Sequence, residues 1–113
     1  SQDAGNNEGL MRETARAYRK VGEVQGYGRM ANLGDQSGGI KSLRKSEAIL
    51  TSLLEKTPGD EALRVELGTT LERLGNELSN AGRNGEAKGV LERAVAVLEP
   101  VQLETARVAR AAA

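Results

Sequence analysis

DEALRVELGTTLERLGNELSNAGRNGEAKGVLERAVAVLEP, residues 60–100, contains two apolar series separated by a glycine-rich break. In the first, Leu63, Leu67, Leu71, Leu74 and Leu78 recur every three or four residues and so share one face of a helix. Ala81-Gly82-Arg83-Asn84-Gly85 interrupts the pattern, and Ala87, Val90, Leu91, Ala94, Val97 and Leu98 resume it. Two helices joined by so short a turn fold back antiparallel. Small residues stand where the pair would cross: Gly75 between Leu74 and Leu78 on one helix, Ala87 and Ala94 on the other. Asp60 precedes the first apolar residues and suits an N-cap.

Working upstream, Thr57-Pro58-Gly59-Asp60 reads as a turn, with Thr57 held extended by the proline. Before it, Ile40, Leu43, Ser46, Leu50, Leu53 and Leu54 predict a helix ending near Lys56. Gly39-x3-Leu43 and Ser46 stand 48 residues ahead of Ala87-x3-Leu91 and Ala94, so this helix repeats the hairpin's second one. An earlier helix is predicted from about Leu10. Met11, Ala15, Tyr18, Val21 and Gly22 make one of its faces, and Arg12, Arg16, Arg19 and Glu23 another. Residues 1–9 are polar, rich in Gly and Asn, and without apolar period; they are expected to be disordered.

The first hairpin has a longer connection than the second. Seventeen residues separate Gly22 from Gly39 but twelve separate Gly75 from Ala87, which leaves five inserted residues within 26–35. Tyr27, Met30 and Leu33 make that insertion too apolar for an idle loop. They are candidates for packing on the first hairpin, the favoured reading, or for contact with a partner. Asp35 could cap the next helix, whose first turn is 36–39. Residues 101–113 are expected to form a further helix with Pro100 in its first turn, either opening another repeat or capping the exposed end.

The composition narrows the chemistry. Sixteen acidic and sixteen basic side chains cancel across 113 residues, so no strong global field draws the chain to nucleic acid or to an anionic membrane. With no Phe or Trp and two Tyr the core must be aliphatic, and stacking platforms for bases are missing. No apolar run approaches the ~20 residues of a membrane span. His and Cys are both absent, which removes the commonest general base, the commonest nucleophile pair and most zinc sites. Glu61, Glu66, Glu72 and Glu77 read as a solvated helix face. Gly26-x-Gly28 and Gly38-Gly39 lack the Lys-Ser/Thr of a phosphate loop. Neither catalysis, nor a cofactor, nor a metal is expected. The basic clusters Arg12, Arg16, Arg19, Lys20 and Lys41, Arg44, Lys45 have acids nearby and read as soluble surface.

The spacing Leu71-x2-Leu74-Gly75-x2-Leu78, Gly82, Ala87-x3-Leu91, Ala94 and Pro100 resembles the tetratricopeptide repeat family. Leu replaces the aromatics common at its bulky positions, and Pro100 comes about one residue late. Tyr18-x2-Val21-Gly22-x2-Gln25 is similar to the same repeat's first helix, except that Gln25 is polar where a bulky residue is usual, with Val24 as its expected substitute. Gly22-Glu23-Val24-Gln25-Gly26, Ala31-Asn32-Leu33-Gly34-Asp35 and Leu43-Arg44-Lys45-Ser46-Glu47-Ala48-Ile49 narrow the likeness. They resemble tetratricopeptide regions C-terminal to the kinase domain of bacterial serine/threonine protein kinases, while the kinase motifs themselves are absent.

The resemblance implies an all-α, right-handed α-α superhelix of two elongated repeats, 10–58 and 60–100. It implies a regulatory or scaffolding protein–protein interaction segment of a larger bacterial signalling protein, which could be membrane-associated. It further implies that the first helix of each hairpin lines a groove. On this chain that groove exposes Arg16, Arg19, Glu23, Thr69, Glu72, Asn76, Ser79 and Asn80 to a protein or peptide partner, and Glu23 and Glu72 oppose a carboxylate clamp. The alternative expectation is self-association, because two repeats leave end faces uncovered.

Overall fold

The computed structural model describes residues 2–27 and 35–112. They form four helices: α1 Gln2–Tyr27, α2 Asp35–Lys56, α3 Glu61–Asn80 and α4 Asn84–Ala112. The fold is all-α, with no strand among the described residues. Helix α1 packs on α2 and α3 on α4, making two hairpins; α2 packs on α3 between them, and α1 also touches α3.

Local chemistry fixes the tight turns. The Asp60 carboxylate accepts from the Leu63 N–H at 3.1 Å, giving one of the four orphaned donors of α3 a partner. Arg12 reaches the same carboxylate from α1, tying the start of α3 to the first hairpin. At the other end of α3, the Gly82 N–H donates to Ser79 O at 2.9 Å and the Arg83 N–H to Leu78 O at 2.8 Å. That pair of bonds is a Schellman closure, and it needs a left-handed residue between Ala81 and Arg83. Gly82 supplies it, with φ 79°.

Both hairpins cross on glycine. A Cβ placed on Gly75 would lie 2.5 Å from Leu91 Cγ, and one on Gly68 would lie 2.4 Å from Leu98 Cγ. In the first hairpin a Cβ on Gly22 would lie 2.8 Å from Leu43 Cγ and 3.0 Å from the Gly39 carbonyl. Gly22 and Gly75 thus meet leucines at equivalent places, 48 residues apart on the second helices. The core is aliphatic and runs between the hairpins. Leu50, Leu53, Leu63, Leu67 and Leu71 gather in one cluster with Ala15 and Ala94, while Ile40, Leu43, Leu74, Leu78 and Ala87 make the second.

Several expectations are corrected. Helix α1 begins at Gln2, so it takes in nearly all of residues 1–9, expected to be disordered. Once a helix is nucleated, each added residue gains a bond for the dihedrals it fixes, and a polar start is no bar to propagation. Residues 101–112 are not a separate helix: α4 runs through Pro100, which stands in its interior rather than in a first turn. Pro100 leaves the Ala96 carbonyl without its helical donor. Both residues are exposed, so water can serve that carbonyl. Val24 does not take the place of Gln25, being 73% exposed. Gln25 itself faces α2, where its Oε1 accepts from the Ser42 hydroxyl at 3.1 Å and its amide lies over Gly38. Val21, read as sharing one face of α1 with Met11 and Ala15, is 49% exposed, whereas Ala15 is buried.

Candidate functional site

The eight residues expected in the groove come from two helices in lateral contact. Arg16, Arg19 and Glu23 follow one another at three- or four-residue steps on α1, and Thr69, Glu72, Asn76 and Ser79 do so on α3, with Asn80 next to Ser79. The structure brings four of them, Glu23, Asn76, Ser79 and Asn80, to a cavity of about 320 Å³ that Leu43, Arg73 and Glu77 also line. Thr69, Glu72 and Asn76 line an adjoining hollow of about 170 Å³, again with Arg73. Asn76 and Arg73 therefore stand on both linings.

Arg16 and Arg19 line neither. The Arg16 guanidinium donates to Glu66 Oε1 at 2.5 Å, and that bond, together with the carboxylate's charge, holds Arg16 protonated more firmly than usual. Arg19 Nε lies 3.4 Å from Glu23 Oε1, one helical turn on, and Arg73 Nε approaches the other oxygen of the same carboxylate at 3.9 Å. Glu23 is thus a bridge between α1 and α3. The polar rim is locally neutralised, which suits a ligand of mixed polarity better than a uniformly charged one.

Glu77 is the unexpected member. It was read as part of a solvated face with Glu61, Glu66 and Glu72, but it is 9% exposed and its Oε2 has no hydrogen-bond partner. Burial pushes its carboxyl up from the usual glutamate range. Spacing carries the signal that residue type hid. Leu63, Leu67, Thr70, Leu74 and Glu77 step by four, three, four and three, so all face the same way. Arg73 had no such signal, because its role comes from the approach of Glu23 across two helices.

The other sequence candidates lie elsewhere. Arg44 pairs with Glu86 at 2.7 Å and Arg93 pairs with Glu47, so two ion pairs join α2 to α4. Lys45 Nζ sits 5.3 Å from the centre of the Tyr18 ring. Tyr27 is the last residue of α1, while Met30 and Leu33 lie outside the described residues. Among the described residues no group of three or more His, Cys, Asp or Glu could hold a metal ion, and no helix is long and apolar enough to cross a membrane. No protein-family model, no curated protein and no solved structure matches the chain.

Proposed function

We propose that this chain is a non-catalytic, tetratricopeptide-like interaction module that takes an extended peptide across the α1 and α3 faces. It would act as a regulatory or scaffolding segment of a larger bacterial signalling protein. The family reading rests on the repeated small-residue spacing and on glycine crossings at equivalent places in both hairpins. Its placement in a kinase-linked protein rests on the sequence resemblance alone.

The observation that carries the binding reading is the position of Asn76, an exposed amide on the lining of both hollows. One amide can donate to a backbone carbonyl and accept from a backbone N–H, which is the pairing an extended peptide offers. Ser79 and Asn80 extend the same polar edge. Contacts at a solvated rim contribute about 0.2–1 kcal/mol each, so affinity should be modest and should fall with salt. A partner captured from the source cell should bind Asn76→Ala and Asn80→Ala variants more weakly, with helix content unchanged by circular dichroism. Equal affinity in both variants, with loss of binding on substitution of α2 or α4 surface residues, would place the ligand on another face.

A further inference from the structure

The two hairpins are built alike, yet equivalent helix faces are covered in one and bare in the other. Along α3, Leu63, Leu67, Thr70, Leu74 and Glu77 are all buried. Leu63 and Leu67 share a cluster with Leu50 and Leu53 of α2, and Leu74 shares the other with Ile40 and Leu43. This is the stripe that α3 lays on the first hairpin. Fifty-three residues earlier, by the offset that carries Gly22 onto Gly75, α1 has Leu10, Thr14, Ala17, Val21 and Val24. All five are exposed, and the three large aliphatics among them are 61%, 49% and 73% so.

The opposite end of the molecule has the matching seat. Leu43 and Leu50 of α2, which receive the α3 stripe, correspond 48 residues on to Leu91 and Leu98 of α4. Leu91 and Val95, the latter 63% exposed, line a hollow of about 490 Å³ on the second hairpin, and with Leu98 they line another of about 220 Å³. We propose that the chain associates with itself head to tail: the α1 stripe of one copy seats on the α3–α4 hairpin of the next, as α3 seats on α1–α2 within each copy.

Charge and length both fit a second copy as the occupant. Within the molecule, Arg16–Glu66 and Glu23–Arg73 join α1 to α3. Carried to the joint between copies, those positions become Thr69 opposite Glu13, and Asn76 opposite Lys20 with Glu72 one turn away. Neither pair sets like charges directly opposite each other, and Glu72 stands one turn from both Thr69 and Asn76. Helix α2 stops at Lys56 because the turn to α3 follows, but α4 continues eight residues past the equivalent Glu104, to Ala112. Helix α1 likewise starts at Gln2, ahead of Glu8, the counterpart of Glu61 where α3 starts. At a joint without a covalent turn, these two overhangs run side by side and lengthen the contact. Because head and tail are different surfaces, the assembly is heterologous and open-ended. The stripe and its seat are apolar faces outside the peptide groove, but the edge of the joint shares Thr69, Glu72, Asn76 and Ser79 with it.

Sedimentation velocity over a range of concentrations tests it. The parent chain should gain mass continuously with concentration, beyond a dimer. Val21→Glu blocks the head and Val95→Glu the tail; both sites are exposed, so helix content should be retained by circular dichroism. Each variant alone should stay monomeric, whereas an equimolar mixture should form a one-to-one dimer and nothing larger. A parent that is monomeric throughout or stops at a dimer, a Val21→Glu variant that self-associates, or a mixture that stays monomeric would overturn the proposal.

Discussion

Glu77 and Asp60 are both acidic residues of α3 or its cap, and their surroundings treat them in opposite ways. Burial without a partner disfavours the Glu77 carboxylate, so the folded state holds its proton more firmly than the unfolded state does. Stability therefore falls as pH rises from the ordinary glutamate value of 4.5 through the raised folded value. Glu77→Met, which keeps the volume and removes the unpaired carboxyl, should stabilise by about 1–3 kcal/mol at neutral pH. Melts repeated at acid pH should show most of that gain disappearing. Asp60 is shifted down, first by the Leu63 N–H and then, after an opposing desolvation effect, by Arg12. Its contribution is present above the ordinary value of 3.8 and is lost as pH falls through the lowered one. Asp60→Ala should cost about 0.5–2 kcal/mol at neutral pH, read from urea unfolding. The cap was legible in the sequence because an Asp before an apolar helical run has one common use. The buried Glu77 was legible by spacing alone, and the usual behaviour of glutamate pointed the wrong way.

Among the elements, α4 departs furthest from its sequence pattern, since a proline ordinarily ends a helix and here sits inside one. Pro100→Ala restores a backbone donor at an exposed interior position and should gain up to about 3 kcal/mol by chemical denaturation. No gain would mean that the two halves of α4 behave as separate helices. The ends of α2 and α3 were readable, because Lys56 is followed by Pro58-Gly59 and Asn80 by Gly82. Helix α1 was readable only where its apolar period runs. Its start at Gln2 leaves no mark in residue type, and the polar Gln25 finds its place through Ser42 and Gly38, which no one-dimensional pattern pairs with it.

For the molecule as a whole, the pairing of helices into two hairpins was legible at 48-residue spacing, but which of the groove candidates share a cavity was not. Four of the eight expected residues meet in one cavity, whereas Arg16 is drawn off by Glu66 and Arg19 by Glu23. Ion pairing between helices decided which side chains stay on the rim, and that depends on how the hairpins stack. Both functional proposals rest on one claim, that the two hairpins are equivalent units crossing on glycine. Thermal melts of Gly22→Ala, Gly75→Ala and Gly89→Ala test it most directly. A methyl at either crossing meets a neighbour well inside contact distance, whereas Gly89 has open space around its Cβ position. The account predicts a loss of about 1–3 kcal/mol for each crossing glycine and a gain of up to about 1 kcal/mol at Gly89. A Gly22→Ala or Gly75→Ala protein that melts at or above the parent's midpoint would contradict it.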